Sequence, residues 1–455
     1  MKNFIETIKN IFSIEELRDK LVLTLMLVFV YRIGSFIVLP GVDPQGLSAL
    51  ATSGSGGILG LLDVFVGGSF TRASVFALGI MPYISASIAI QLVTLVIPYF
   101  QRLQKEGESG RKKLNQLTRY LTIGVAVFQG IAYVTFLRNI ATNAIPASIN
   151  PFLFTLTTMF TLTAGTIFCL WLAERITDKG IGNGTSMLIM AGIMARLPFA
   201  FFAEFQQKMA SGGGGLIAFA VELVILALIV LGTILLVQGV RRIPVQYAKR
   251  IVGNKQYGGQ RQFIPLRVNA AGVMPIIFAQ ALMFIPSFVA QLAPNSPLMQ
   301  SMMAGGRYDH TIWYNVIFFA LVVLFTYFYT AIIVNPTQMA EDMKRNNGFI
   351  PGVKPGQPTA DYIDEVTSRI TLPGAVGLAL VAILPAFASR AGVTDQFASF
   401  FGGTSLLIAI AVMLDTLQQI ESHLLMRQYD GLMKGGSRIK GRYSASLEGS
   451  NQYMN

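Results

Sequence analysis

Long apolar runs alternate with short polar breaks along this chain. A run of roughly 20 apolar residues predicts a membrane-spanning helix. Such runs lie near residues 21–39, 74–97, 119–137, 152–172, 185–202, 216–237, 270–289, 311–334, 370–388 and 404–420. The pattern predicts an all-α polytopic membrane protein with ten spans and both termini on one side. Residues 1–20 place Phe4, Ile5, Ile8, Ile11 and Phe12 at helical spacing, which predicts an amphipathic helix at the membrane surface.

Glycines at 212–215 and a basic loop at 238–268 divide the spans five and five. The first half covers 21–211, and 212–237 is the sixth span. Residues 269–420 complete the second half and include a Pro/Gly-rich loop at 335–369. Residues 421–455 are a polar tail. An odd number of spans per half implies inverted copies about an axis in the membrane plane, with the functional path at their interface.

Two stretches depart from the lipid pattern. Residues 57–70 are apolar but too short to span and end in Gly67-Gly68, so they predict a half-helix that enters the membrane and stops. Residues 74–97 are long enough but carry Gly79, Pro82, Ser85, Ser87 and Gln91. Small and polar groups inside a span face another helix or an aqueous path.

Composition agrees with the pattern: 53% of residues are hydrophobic and 13% charged, with a mean hydropathy of +0.56. The first run contains Arg32 and no small-residue cleavage site follows it, so a retained span is expected. With the N-terminus in the cytoplasm, 28 of the 35 Lys and Arg residues fall inside. The exceptions are Arg32, Arg72, Arg138, Arg196, Lys208, Arg307 and Arg390. This positive-inside bias accounts for most of the net charge of +12. The 238–268 loop carries seven basic residues and no acid, a footprint that also suits RNA.

Candidate chemistry is sparse. The two histidines, His310 and His423, lie on opposite sides in this topology, and no paired nucleophile and base is visible. An intramembrane hydrolase is therefore disfavoured. Gly180, Gly182 and Gly184 lack the strand and lysine of a phosphate loop and predict a tight turn at 178–186. Glu222 and Asp415 lie toward span ends, and Arg196 is alone in its span; each is expected to snorkel or pair locally. The single Cys169 allows no intramolecular disulfide, and no metal or cofactor is expected. Ile80 and Ile84 share one helix face. They are either packing residues or part of a narrow, uncharged constriction. An inverted-repeat secondary transporter of a small solute is the alternative function.

The motifs YRIGSFIVLPGVD (31–43), GIMPYISASIAIQ (79–91), KEGESGRKKLNQLTRY (105–120), DKGIGNGTS (178–186), RRIPVQYAKR (241–250), NAAGVMPIIFA (269–279), FYTAIIVNP (328–336), GFIPGVKPG (348–356) and FGGTSLLI (401–408) occur in this order. Together they resemble the bacterial SecY family, channel subunits of the protein-secretion machinery. The resemblance implies a two-halved clamshell through which unfolded secretory chains cross the cytoplasmic membrane and apolar segments leave sideways into lipid. It implies no enzymatic activity of the chain itself. It implies a pore ring of Ile80, Ile84, Ile189, Ile277 and Ile408, with a sixth position on Thr185, where relatives commonly carry an apolar residue. It implies a plug over 57–70, including Gly57, Leu61, Leu62, Val64, Phe65, Gly67 and Gly68. It implies a lateral gate involving Ser87, Gln91 and Asn269. Docking of the ribosome and the SecA motor is implied at Arg241, Arg242, Lys249, Arg250, Lys255, Arg261 and Lys354, where relatives usually have arginine in place of Lys354. The implied partners are SecE, SecG, SecA, the ribosome, YidC, secretory preproteins with their signal sequences, and the lipid bilayer.

Overall fold

The computed structural model describes residues 14–47, 63, 66–140, 145, 150–210, 215–247, 250–252, 255–257, 261–280, 282–283 and 312–434. In order, the helices are α1 (Glu15–Gly34), α2 (Met81–Val96), α3 (Pro98–Lys105), α4 (Glu108–Ile140), α5 (Pro151–Lys179), α6 (Gly184–Ala210) and α7 (Gly215–Gln238). After strands β1 (Val240–Tyr247), β2 (Arg250–Val252), β3 (Lys255–Tyr257) and β4 (Arg261–Arg267) come α8 (Ile312–Ile333) and α9 (Pro336–Arg345). Strand β5 (Gly348–Phe349) leads to α10 (Gln357–Arg390), α11 (Asp395–Ala398) and α12 (Gly403–Lys434).

Among the described residues seven helices are long and apolar enough to cross a membrane. An eighth follows if segments 81–94 and 98–104, bent by 104°, form one broken span. Their outer faces expose large side chains, including Phe128, Phe152, Phe199, Ile217 and Leu235. Such a surface suits lipid rather than water. The apolar window of α7 is almost entirely unburied.

Three expectations change in detail. The second span begins as helix only at Met81. Residues 74–80 are turns, because Ala73 and Gly79 adopt positive φ (46° and 51°) and the chain bonds sideways to the end of the first span. Leu39 N–H donates to Ala73 O at 2.8 Å, and Val75 N–H donates to Ile37 O at 2.8 Å. The charged stretch 101–118, which separates the second and third apolar runs, is largely helical, split between α3 and the first turns of α4. Finally, the basic 238–268 segment is mostly strand. Ile243 and Val245 are buried between exposed Arg242 and Pro244, the period-two alternation of a half-buried strand. β1 pairs antiparallel with β4, Ile243 opposite Ile264, and with β5, Gln246 opposite Phe349. The two basic segments thus form one platform. Its small core joins Ile243, Val245 and Leu266 to Met343, Ile350 and Ile363.

The main core lies where the halves meet. α6 packs against α7, α11 and α12 and is the bridge between them.

Candidate functional site

One stripe of α6 organises the centre of the molecule. Ile189, Gly192 and Arg196 are spaced i, i+3, i+7 and so share a face. Ile189 enters a buried apolar cluster that also holds Ile80 at the start of α2 and Ile408 of α12, with Ile84 and Ile277 packed on it. The five isoleucines of the expected ring are therefore brought together from both halves. Val66 lies in the same cluster. Thr185, one turn before Ile189, donates its hydroxyl to Asn183 Oδ1 at 2.6 Å, and so serves the helix start.

Gly192 receives the chain that returns from the expected plug. Gly67 has φ of 68°, and a Cβ built there would meet Gly192 Cα at 2.8 Å and Arg32 Nη1 at 2.6 Å. Only glycine allows this backbone approach. Gly68, at φ 85°, continues the turn. Gly57, Leu61, Leu62, Val64 and Phe65 lie outside the described residues. Asp63 is described and buried, its side chain 1% exposed. Its Oδ1 accepts from Thr71 N at 2.9 Å and its Oδ2 from Thr71 Oγ1 at 3.0 Å. Arg196 Nη1 stands 2.9 Å from Oδ2, so Arg196 is paired rather than alone. Arg32 Nη1 donates to Gly67 O at 3.2 Å, and Arg72 donates to Gly67 O and Gly68 O at 3.0 Å each. Both guanidinium groups also lie over the Phe36 ring.

Farther along α6 a second charged group joins the halves. Lys208 Nζ lies 2.8 Å from Glu222 Oε1 of α7 and 3.5 Å from Glu204 Oε1, and donates to Gly392 O at 2.9 Å. Glu204 Oε2 accepts from both the backbone N–H and the hydroxyl of Thr394. Glu222 is thus locally paired, as expected. At the other end of α6 the 178–186 turn is tight. Its Ile181 N–H donates to Thr24 Oγ1 at 3.1 Å, and its Gly182 N–H donates to Gln419 Oε1 of α12 at 2.8 Å.

The opposite seam is different. Tyr329 of α8 donates its hydroxyl to Gln91 Oε1 of α2 at 3.2 Å. Beside this bond Ala271, Phe278 and Tyr329 form a small cluster with Ile88, Met274 and Phe325. Ser87 is one turn from Gln91 on the same face. Asn269 is buried, and its Oδ1 has no hydrogen-bond partner among the described residues. On the platform Arg241, Arg242 and Lys354 are exposed. Lys249 lies outside the described residues, and Arg250, Lys255 and Arg261 fall in β2, β3 and β4.

Tyr329 and Asp63 were not among the expected site residues. Signals for both exist: Asp63 is an acid inside an apolar run, and Tyr329 sits in the 328–336 motif.

The SecY family model matches residues 74–417. The chain belongs to the SecY family. It is 41% identical over 432 residues to the protein translocase subunit SecY of Aquifex aeolicus, covering 94% of this chain and 99% of that one. A solved structure of a protein-conducting channel superposes with a TM-score of 0.60 at 17% identity, over 93% of this chain and 95% of that one. Sec61 from a canine ribosome–channel complex superposes at 0.56 and 16%, with the same two coverages. At such identities the superpositions speak for the fold: a SecY-type helical channel architecture in a multi-pass membrane protein.

Proposed function

We propose that this chain is the protein-conducting channel of a bacterial cytoplasmic membrane, with both termini on the cytoplasmic side. The observation that carries this reading is the convergence of Ile80, Ile84, Ile189, Ile277 and Ile408 from both halves on one apolar cluster. A narrow ring of branched aliphatic side chains has no charge to hold ions and no polar group to select cargo. It can yield to a polypeptide of any sequence and close behind it. Val66 within that cluster supports a plug over 57–70 that fills the path when cargo is absent. Thr185 stands at the rim of the ring.

The lateral gate is the seam held by Gln91 and Tyr329, with Ser87 and Asn269 beside it. A signal sequence is itself an apolar helix. It replaces the contacts of Ile88 and Phe278 with its own and reaches lipid there. The translocase name of the relatives and the ribosome-bound Sec61 neighbour support docking of a driving partner here, a ribosome or the SecA motor. Exposed Arg241 and Arg242 on the platform fit an anionic partner such as ribosomal RNA, with Lys354 offering a further charge. SecE, SecG and YidC are proposed as membrane partners on the strength of family membership.

The test is site-specific crosslinking. A cysteine at Ile84, in a Cys169→Ala background, is probed against a cysteine in an arrested secretory chain. Crosslinks that require a functional signal sequence are expected. Cargo that engages the platform but never reaches Ile84 or its neighbours would overturn the pore assignment. Solute uptake into proteoliposomes without any motor would favour a secondary transporter instead.

A further inference from the structure

Three of the seven cations that break the positive-inside pattern, Arg32, Arg72 and Arg196, converge on one short segment. Their targets are the Gly67 and Gly68 carbonyls and the Asp63 carboxylate. We propose that Asp63 and Arg196 form a charged latch that holds Asp63 and residues 66–72 in the path, so that this pair sets how readily cargo displaces the plug. The proposal rests on the channel reading above.

The geometry separates a latch from a permanent bolt. Asp63 is tied within its own segment by Thr71, which donates to it through both backbone and hydroxyl. The carboxylate and residues 66–72 therefore form one local unit. Arg196 belongs to α6 and is fixed elsewhere. It is the group from another element that grips this carboxylate. Its side chain is 29% exposed, so water can take over its charge when the segment leaves, and Asp63 moves out with the segment. Neither ion is then stranded in an apolar interior, which is the condition for a charged contact that opens reversibly. The Glu204–Lys208–Glu222 group has no such exit, because its members stay packed between α6, α7 and the loop after α10. Arg32 and Arg72 donate to backbone carbonyl oxygens and lie over the Phe36 ring. They steady the glycine turn, while the ion pair supplies the stronger, charge-assisted contact.

The test measures cargo-free ion conductance of the purified channel in planar bilayers, and export of a reporter with a shortened signal sequence. Asp63→Asn and Arg196→Gln are each expected to raise both by roughly tenfold, the scale of a lost hydrogen bond to a charged group. Because they remove one interaction, the double variant should exceed the larger single by no more than about twofold. Arg196→Lys, which keeps the charge, should stay within about threefold of the parent. Unchanged conductance in both neutralised variants, or effects that multiply in the double variant, would overturn the latch. If Arg196→Gln does not accumulate in the membrane, Thr71→Val loosens the same carboxylate. A rise of about threefold supports the latch and no rise overturns it. Crosslinking at Ile84 in the parent separates the two readings: cargo at Ile84 with unmoved conductance removes only the latch, whereas cargo that never reaches Ile84 removes the channel reading itself.

Discussion

The two seams between the halves are built from different chemistry. Along α6 the halves are joined at both ends: by the Gly182–Gln419 bond at one, and by Lys208, Glu204, Glu222 and Thr394 at the other. These anchors are separated by most of a 27-residue helix, about 40 Å at 1.5 Å per residue. Between them runs the largest apolar cluster among the described residues. Across the seam between α2 and α8, one side-chain hydrogen bond between neutral groups is found among the described residues, next to a small apolar cluster. Buried ion pairs cost several kcal/mol to separate, whereas a neutral hydrogen bond contributes about 1 kcal/mol net. With one strong and one weak seam, the proposed lateral gate would open on the weak side and pivot on the strong one. That is the mechanical requirement for releasing an apolar helix sideways without losing the fold.

The contrast can be broken most sharply at Lys208. Lys208→Met leaves Glu204 and Glu222 facing each other in the interior without their cation. A loss of about 3–5 kcal/mol in stability is expected, read as a lower unfolding temperature in detergent. A smaller loss in the double variant with Glu222→Leu would confirm that the stranded charge is the cause. Next in size is Ile84→Asn. A polar amide in the apolar ring should destabilise the closed form by about 2 kcal/mol, visible as ion leak and export of preproteins with defective signals. Gly67→Ala should follow at roughly 1–2 kcal/mol for the left-handed backbone alone, with the approach to Gly192 added. Its readout is again leak, with fold stability unchanged. The smallest effect belongs to the weak seam. Tyr329→Phe removes one hydrogen bond, about 1 kcal/mol, and should let marginally apolar segments partition into lipid several-fold more often. If Tyr329→Phe instead matched Lys208→Met in stability loss, the two seams would be equivalent and the pivot idea would fail.

Helix positions were legible in the sequence because lipid imposes a simple rule: about 20 apolar residues, ended by Gly, Pro or charge. The breaks at Pro98 and at 180–183 fall where those residues stand. The central isoleucine cluster was partly legible, since Ile80 and Ile84 share a face. Ile189, Ile277 and Ile408 became candidates only through family resemblance, because nothing local distinguishes them from other apolar residues. The platform strands were missed for a different reason. A period-two pattern over Ile243 and Val245 is only two buried positions long and is masked by the surrounding charge.

By itself the sequence determined the membrane class, the order of apolar helices, the uneven split of basic residues between alternate loops and the family, since each depends on composition or on residues close together in the chain. Only the tertiary structure decided which charges meet. Asp63 and Arg196 are 133 positions apart, and Tyr329 and Gln91 are 238 apart. No local rule pairs them. An unpaired charge inside an apolar interior is costly, so some partner was required. Which partner it is depends on how α1, α2, α6 and α8 pack, and that is fixed by apolar surfaces whose pairing becomes definite only in three dimensions.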